Sequence, residues 1–390
     1  MNAPPNDKQK TLYQTVADSV LGAIERGEFS YDQPICTENK LMEQYSVSRI
    51  TARRAMSELE GQGILYRKRG VGSFVSRDIY QRTQKTSGNS KLFAFIFPFD
   101  VSKSGLSAAF RAANSALLRQ GYAASIYITE DDEKKRGRDS LKQLVDADIA
   151  GVAYYPKTAN VHLDLLNRLA FTGKPVVLID VPSPTRYISS VSSANYEGSI
   201  RLMQHLIELR HRRIAYISGI PAESRKTVAD RMDGYVLGLC RAGLTPDADL
   251  IITTLTEEFR RSPGTENRPT QLHETVHALL GRGVTAVLCE HDQMAFEFTI
   301  ACRSMGVRVP EDISVCGFDH SEWAHMLPEG ITTIEQDMTA VGAKVAELLV
   351  SGINALPALS EQIVIPTHLI LGGTTCAAPH NKRTAEEETI

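Results

Sequence analysis

Several residues just after position 47 have the types and spacing that suit contacts with DNA. Ser48 can cap the first turn of a helix, so that the positive end of the helix dipole faces a phosphate. Arg49 and Arg53 are four residues apart and therefore share one face of that helix. The other residues of this cluster are Ile50, Thr51 and Arg54. Arginine can donate two hydrogen bonds to guanine, and threonine or isoleucine can contact a thymine methyl group. The cluster therefore predicts a helix that inserts into the major groove of DNA.

A second basic cluster follows in the stretch ILYRKRGVGSFVS, which predicts two short strands around a glycine-rich turn. The residues at this turn are Arg67, Lys68, Arg69, Gly70 and Gly72. Their cations can reach an adjacent phosphate backbone or minor groove. The glycine pair could instead form a phosphate-binding nest, but no strand-to-helix loop surrounds it. We therefore interpret the stretch as the wing of a winged helix.

The charge distribution supports this interpretation. The formal net charge is −3 over 390 residues, yet residues 49–85 contain nine Lys and Arg against three Asp and Glu. A basic segment on an otherwise acidic chain is typical of a nucleic-acid-binding head.

A third motif, His273-Glu274-Thr275-Val276-His277, fits the HExxH pattern of zinc peptidases. In that pattern two histidines one helical turn apart hold zinc, and the glutamate activates water. However, Leu272, Val276 and Leu279 form the packing stripe of the predicted helix, which leaves both histidines on its flank. A zinc-dependent hydrolase is thus the alternative function. Our main prediction is a protein that has no enzyme activity and binds no metal or cofactor.

The remaining composition favours the cytoplasm. The N-terminal stretch MNAPPNDKQKTLYQ lacks the apolar core of a signal peptide, and no run of about 18 apolar residues is long enough to span a membrane. The six cysteines have no CxxC spacing, so they are expected to be reduced.

The hydrophobic pattern changes along the chain. A first helix is predicted within residues 11–29, a second near Thr37, and a third from Ser48 to Gly61. From Lys91 onward, helical stretches alternate with apolar runs typical of buried parallel strands: KLFAFIF, IAGVAYYP, PVVLID, RRIAYISG, TAVLCE and ISVCGFD. This alternation predicts an α/β fold with two parallel sheets.

The head resembles the GntR-family winged helix. The matching motifs are Val47–Arg53, Leu59, Gly63 and Gly70–Val75. The resemblance implies DNA contacts at Ser48, Arg49, Thr51, Arg53, Arg69 and Gly70. The chain departs from the family pattern at Ile35-Cys36-Thr37-Glu38, where the second helix begins.

Residues 91–376 resemble the LacI/GalR-type regulatory domain, which is itself similar to periplasmic sugar-binding proteins. The matching stretches are SIRLMQHLIELRHRRIAYISG, ADRMDGYVLGL, TAVLCEHDQMAF, VRVPEDISVCGFD and ITTIEQDMTAVGAKVAELL. A GntR-type head on such a body is similar to the arabinose-repressor type of transcription regulator. The resemblance implies two α/β subdomains with an effector in the cleft between them.

The family motifs imply a set of effector contacts, namely Asp180, Arg231, His291, Asp319 and Gln336. Phe99 and Asp100 join this set only because they follow a predicted strand, and ligands of open α/β sheets lie beyond the carboxyl ends of strands. Carboxylates, amides, a guanidinium fork and an aromatic face together suit a sugar.

Structural alternatives stand beside these roles. Asp180 and Asp319 could cap the turns that follow them, and Arg231 could form a salt bridge on its helix. His291 occupies a position where the family commonly has Asn, so a non-sugar effector stays open. Asp292 is predicted as the N-cap of the next helix.

The expected organisation is a DNA-binding domain over 8–77, a linker over 78–90, a sensing domain over 91–376 and a disordered tail over 377–390. Subdomain one is predicted to contain 91–191 and 336–350, and subdomain two to contain 192–335 and 351–376. The predicted function is a repressor that is released from operator DNA by a small effector. Family resemblance and half-site geometry predict a homodimer.

Overall fold

The computed structural model describes residues 12–25, 29, 34–35, 38–68, 71–76, 90–101, 105–129, 136–156, 162–185, 187–253, 267–353 and 360–379. Thr37, the wing-tip residues Arg69 and Gly70, and residues 78–89 of the predicted linker lie outside these ranges. The folded body extends into the predicted tail, because the amide of Ala378 donates to the carbonyl of Leu209 over 2.8 Å.

The head consists of a helical cluster and an antiparallel strand pair. Its elements are α1 (Leu12–Glu25), α2 (Glu38–Tyr45), α3 (Arg49–Gly61), β1 (Leu65–Lys68) and β2 (Gly72–Val75). Helix α3 begins after Ser48, as predicted, because the Ser48 hydroxyl accepts the amide of Thr51 over 3.2 Å. The inward face of α3 packs against α1 and the wing through Ala52, Ala55, Met56 and Leu59.

In the described part of the chain, the first sheet of the body has the strand order β13-β7-β6-β5-β3-β4, all parallel. Its elements are β3 (Leu92–Phe97), α4 (Leu106–Arg119), β4 (Ala123–Ile128), α5 (Arg136–Asp146), β5 (Gly151–Tyr154), α6 (Leu163–Phe171), β6 (Val176–Ile179), β7 (Ser189–Ser193), α11 (Met338–Ser351) and β13 (Gln362–Ile365). Helices α4 and α11 cover one face and α5 and α6 the other, so the central strands are buried on both sides.

The second sheet has the strand order β11-β10-β8-β9 among the described residues, again parallel. Its elements are α7 (Asn195–Glu208), β8 (Ile214–Ile217), α8 (Lys226–Arg241), β9 (Ile251–Ile252), α9 (Asn267–Gly281), β10 (Ala286–Cys289), α10 (Asp292–Ser304) and β11 (Ser314–Cys316). Helices α9 and α10 pack on one face, and α7 and α8 pack on the other. The predicted fold class is confirmed.

The chain passes between the two sheets after β7, after β12 (Thr333–Gln336) and between β13 and β14 (Thr367–Ile370). β12 and β14 form an antiparallel pair of their own. We predicted that 351–376 belongs to subdomain two, but β13 pairs with β7 and therefore extends the first sheet. The predicted boundary is wrong there because the chain stays with the first sheet through α11 and β13 before it crosses a last time.

Candidate nucleic-acid interface and ligand cleft

The N-terminal part of α3 presents basic and apolar side chains to solvent. Arg49, Arg53 and Arg54 are exposed, and Ile50 between them has 81% of its surface exposed. The guanidinium carbon of Arg54 lies 4.2 Å from the centre of the Tyr13 ring, so a cation–π contact connects this residue to α1. An exposed isoleucine among arginines suits a groove that presents thymine methyl groups.

The hydroxyls of Ser48 and Thr51 lie 2.8 Å apart and share a hydrogen bond. Both predicted contact residues therefore stabilise the start of α3. This arrangement keeps the positive end of the helix dipole at the surface, where it favours a phosphate.

The wing is attached to α3 and carries exposed cations. Ser73 donates a hydrogen bond to the Glu60 carboxylate over 2.7 Å, which connects β2 to the recognition helix. The Lys68 ammonium lies 4.9 Å from the centre of the Phe74 ring. Gly72 has a φ of 137°, which disfavours any side chain and favours glycine at this turn.

Arg231 on α8 is the centre of a buried polar network in the body. Its Nε donates to Asn195 Oδ1 over 2.9 Å, and its Nη2 donates to Asp319 Oδ1 over 2.8 Å. Its Nη1 donates to the carbonyl of Glu290, and its guanidinium carbon lies 4.0 Å from the centre of the Phe318 ring. Asp319 follows β11 and raises the pKa of Arg231, against the effect of burial.

Gln336 and Asp180 extend this network in opposite directions. Gln336 donates to Asp319 Oδ1 over 2.7 Å, and its buried Oε1 has no hydrogen-bond partner among the described residues. Asp180 follows β6 and accepts from the Ser193 amide over 3.3 Å. Burial raises the pKa of Asp180 to about 6, although the nearby Arg231 lowers it. The structure thus brings together Asp180, Arg231, Asp319 and Gln336, four of the residues proposed from the sequence as effector contacts.

Asn195 connects the halves of the network, and our sequence analysis missed it. Its Oδ1 accepts from Arg231, while its Nδ2 donates to Asp180 Oδ1 over 3.5 Å. Asn195 begins α7 directly after β7, whose sequence SSVSS lacks an apolar run. Recognition of β7 would have placed Asn195 beyond the end of a strand, where ligand contacts are expected.

An aromatic cluster lies close to this network. The rings of Phe99 and Tyr155 have centres 5.8 Å apart at 80°, and the guanidinium carbon of Arg225 lies 5.1 Å from the centre of the Phe99 ring. Burial and the charge of Asp180 raise the pKa of Tyr155 to about 12. Tyr155 directly follows β5, so its position after a strand was the signal that we overlooked. Asp100 is exposed beside Phe99.

His291 has a structural role that we assigned to its neighbour. Its Nδ1 accepts the amide of Met294 over 3.0 Å, so His291 is the N-cap of α10. The prediction that Asp292 caps this helix is wrong. Asp292 is buried within the helix and accepts from the Ser321 amide over 2.6 Å and from the Thr333 hydroxyl.

The pH dependence of stability should reveal this buried carboxyl. Burial and the charge of Asp319 raise the pKa of Asp292 from 3.8 to about 7. The folded state therefore binds more protons than the unfolded state between these values, so stability falls as pH rises from about 4 to about 7. We expect Asp292→Asn to remove this part of the pH dependence. Urea unfolding of the parent protein and the variant at several pH values in this range measures the free energy of unfolding. If this free energy changes with pH in the same way in both proteins, the burial of the Asp292 carboxyl is contradicted.

The HExxH segment does not assemble a zinc site in the described structure. His273 Nε2 lies 2.7 Å from the Ser304 hydroxyl, whereas Glu274 and His277 are exposed. Among the described residues, no group of three His, Cys, Asp or Glu side chains is placed to hold a metal ion. In the same residues, no helix has the length and apolar character needed to cross a bilayer.

Two family models match separate parts of the chain. Residues 12–75 match the model of bacterial regulatory proteins of the gntR family, and residues 203–375 match the periplasmic binding protein-like domain. The fold and the two candidate sites therefore define a transcription regulator with a winged-helix head and a ligand-sensing body.

Relatives along nearly the whole chain define the family. The arabinose metabolism transcriptional repressor of Geobacillus stearothermophilus is 30% identical over 363 residues, which cover 89% of this chain and 93% of that protein. The repressor of the same description from Halalkalibacterium halodurans is 26% identical over 348 residues, with coverages of 88% and 90%. The chain belongs to this family of transcriptional repressors, and the resemblance seen in the sequence is confirmed.

Solved structures show the same fold at lower identity. The complex of the transcriptional regulator CelR with cellobiose superposes with a TM-score of 0.62 at 22% identity, covering 94% of this chain and all of that one (100%). The lac repressor dimer bound to operator and the anti-inducer ONPF gives a TM-score of 0.60 at 22% identity, with coverages of 78% and 100%.

Proposed function

We propose that this protein represses transcription by binding operator DNA through α3 and the wing, and that a sugar bound in the body releases it. The observation that carries the proposal is the buried Arg231 network at the carboxyl ends of β6 and β11. Arginine, carboxylate and amide groups converge there beside the Phe99 ring, as recognition of a polyhydroxy ring requires. The DNA contacts that we propose are Ser48, Arg49, Thr51, Arg53, Arg54, Lys68, Arg69, Gly70 and Gly72.

The charges of the cleft favour an uncharged sugar over a sugar phosphate. Asp180 and Asp319 face Arg231, so its positive charge is already balanced by carboxylates. A phosphate would meet these carboxylates and be repelled, whereas a hydroxyl can donate to them. Gln336 Oε1, which has no hydrogen-bond partner in the part of the chain that the structure describes, offers one more acceptor. Two relatives are named for arabinose metabolism, which makes pentoses the first sugars to test.

The effector would act by changing the relation between the two subdomains. Asp180 follows a strand of the first sheet, whereas Arg231 and Asp319 belong to the second, so a ligand that contacts all of them favours a closed cleft. A ligand shifts an equilibrium only when it prefers one state, and the closed state is the one with more contacts to it. We further propose that the protein is a cytoplasmic homodimer, because two heads match two operator half-sites.

A thermal-shift screen tests the sensor. At a sugar concentration of 100 times Kd, we expect stabilisation of about 2.7 kcal/mol by the cognate sugar, and therefore a higher Tm. Pentoses, hexoses, uronic acids, sugar phosphates, nucleobases and amino acids are compared at one concentration. Asp319→Asn should abolish the shift, whereas Asp312→Asn, at an exposed ion pair with Arg308, should retain it. A Tm that responds to nucleobases or amino acids and to no sugar would refute the sugar assignment.

A further inference from the structure

The end of the recognition helix contacts the sensing body directly. Gln62, which terminates α3, accepts at its carbonyl oxygen a hydrogen bond from the Asn167 side chain over 2.5 Å. Its side-chain Oε1 accepts a second hydrogen bond from the Tyr187 hydroxyl over 2.9 Å. Both donors belong to the first subdomain, Asn167 on α6 and Tyr187 just before β7.

Apolar packing accompanies these hydrogen bonds. Phe171, at the end of α6, is only 1% exposed and packs in the same cluster as the α1 and α3 core residues. Its ring centre lies 4.9 Å from that of Tyr187, which also packs against this cluster. A Cβ built on Gly63 would lie 3.8 Å from the Cβ of Asp164 at the start of α6. The head and the body therefore share one continuous apolar contact.

Helix α6 is buried on two sides, and only one of them belongs to the core of the body. Leu165, Leu166 and Leu169 pack under the first sheet. Asn167 and Phe171 lie on another side of the helix and are buried by the head. Asn167 is fully buried (0% exposed), and a buried amide donor is costly when it is left without an acceptor. The docked arrangement supplies that acceptor for Asn167 Nδ2, whereas Oδ1 has no hydrogen-bond partner among the described residues.

The same contact lies a short distance along the chain from the ligand cleft. Tyr187 is seven residues after Asp180, which belongs to the Arg231 network. Residues 181–185 between them are held to β7, because the Ser183 amide donates to Ser190 Oγ over 3.1 Å, and Thr185 is buried. A displacement of Asp180 on ligand binding would therefore act on residues 181–185 and on β7, which Tyr187 immediately precedes.

We infer that the winged helix is docked on α6 and Tyr187 of the sensing body, and that this docking surface transmits the effector signal to α3. The surface comprises Gln62, Asn167, Phe171 and Tyr187. Docking leaves Arg49, Ile50 and Arg53 exposed, so it orients the DNA-reading face and does not cover it. The docked arrangement is independent of ligand identity, whereas the transmission step rests on the proposed function.

Disulfide trapping in the full chain tests the docking. The geometry at Gly63 and Asp164 matches the Cβ separation of about 3.8 Å in disulfides, so Gly63→Cys with Asp164→Cys should form an intrachain bridge under mild oxidation. Gly61→Cys with Asp164→Cys is the control, because a Cβ at Gly61 has no atom within 4 Å. Mass spectrometry identifies the linked peptides despite the natural cysteines. Docking within one chain would be overturned if neither cysteine pair forms a disulfide, or if the control pair forms one as readily as the test pair. It would also be overturned if the disulfide forms only between subunits.

A double-mutant cycle tests whether the docking surface transmits the effector signal. It does not require a substitution at Gly63, where the positive φ of 70° disfavours a side chain. Tyr187→Phe and Gln62→Ala should each reduce the sugar-induced change in operator affinity by about 2- to 30-fold, and the double variant should lose no more than either. Affinity without sugar should stay within about threefold of the parent. Tyr127→Phe, on the edge strand β4, should leave the response unchanged.

An unaltered response in Tyr187→Phe and Gln62→Ala would refute transmission through this surface. If no sugar changes operator affinity in the parent protein, the proposed function fails, while the disulfide result still decides the docking.

Discussion

Replacement of Arg49 and Arg53 by alanine together should abolish sequence-specific DNA binding. Each arginine that reads a guanine contributes about 1–3 kcal/mol, so the pair should cost at least roughly 30-fold in affinity. Both side chains are exposed on α3 and away from its buried face, so the variant should remain folded. The operator is first obtained by selecting bound duplexes from a random library, and binding is then measured by fluorescence anisotropy.

The salt dependence of binding separates base reading from general attraction. Arg111→Ala, at an exposed position on α4 of the body, is the matched control and should bind the selected operator like the parent. Lys68→Ala should weaken binding to all sequences alike and lower the salt slope by about one. Retention of operator affinity within about threefold by the Arg49 and Arg53 double variant would show that α3 does not read the bases.

Replacement of Arg231 by methionine should remove both the ligand response and a large part of the stability of the body. Loss of one partner from a fully buried ion pair costs about 3–5 kcal/mol, because the remaining charge stays desolvated. The Asp319 side chain is 35% exposed, so we expect a loss at or below the lower end of that range. Asp319 and Asp180 would be left facing each other without the cation between them. Chemical denaturation measures the stability loss, and the thermal-shift assay with the cognate sugar measures the response.

A second variant separates loss of folding from loss of recognition. Asp319→Asn added to Arg231→Met removes the orphaned charge and should recover part of the lost stability, but it should not recover the sugar response. DNA binding should persist in this double variant, since neither residue lies in the head. If the double variant responds to sugar like the parent protein, the Arg231 network has only a structural role.

The head illustrates how much local sequence can determine. The Ser48 cap and the two wing strands are properties of short segments, and the structure confirms them. In the body, the apolar strands were predicted because strands buried on both faces are apolar throughout. β7 was missed because its serines are buried by means of hydrogen bonds, such as that from the Ser183 amide to Ser190 Oγ. Its partner β13 was missed because it is a half-exposed edge strand.

The sequence by itself determined the class of this protein: a basic helix and wing for DNA, followed by parallel α/β sheets with polar residues at their strand ends. Only the tertiary structure decided which of these residues meet. Asn195 joins Asp180 to Arg231, and Gln62 meets Asn167 across 105 residues of chain. The physical reason is that caps and apolar stripes depend on neighbours in sequence, whereas buried polar contacts depend on which elements the sheets bring side by side.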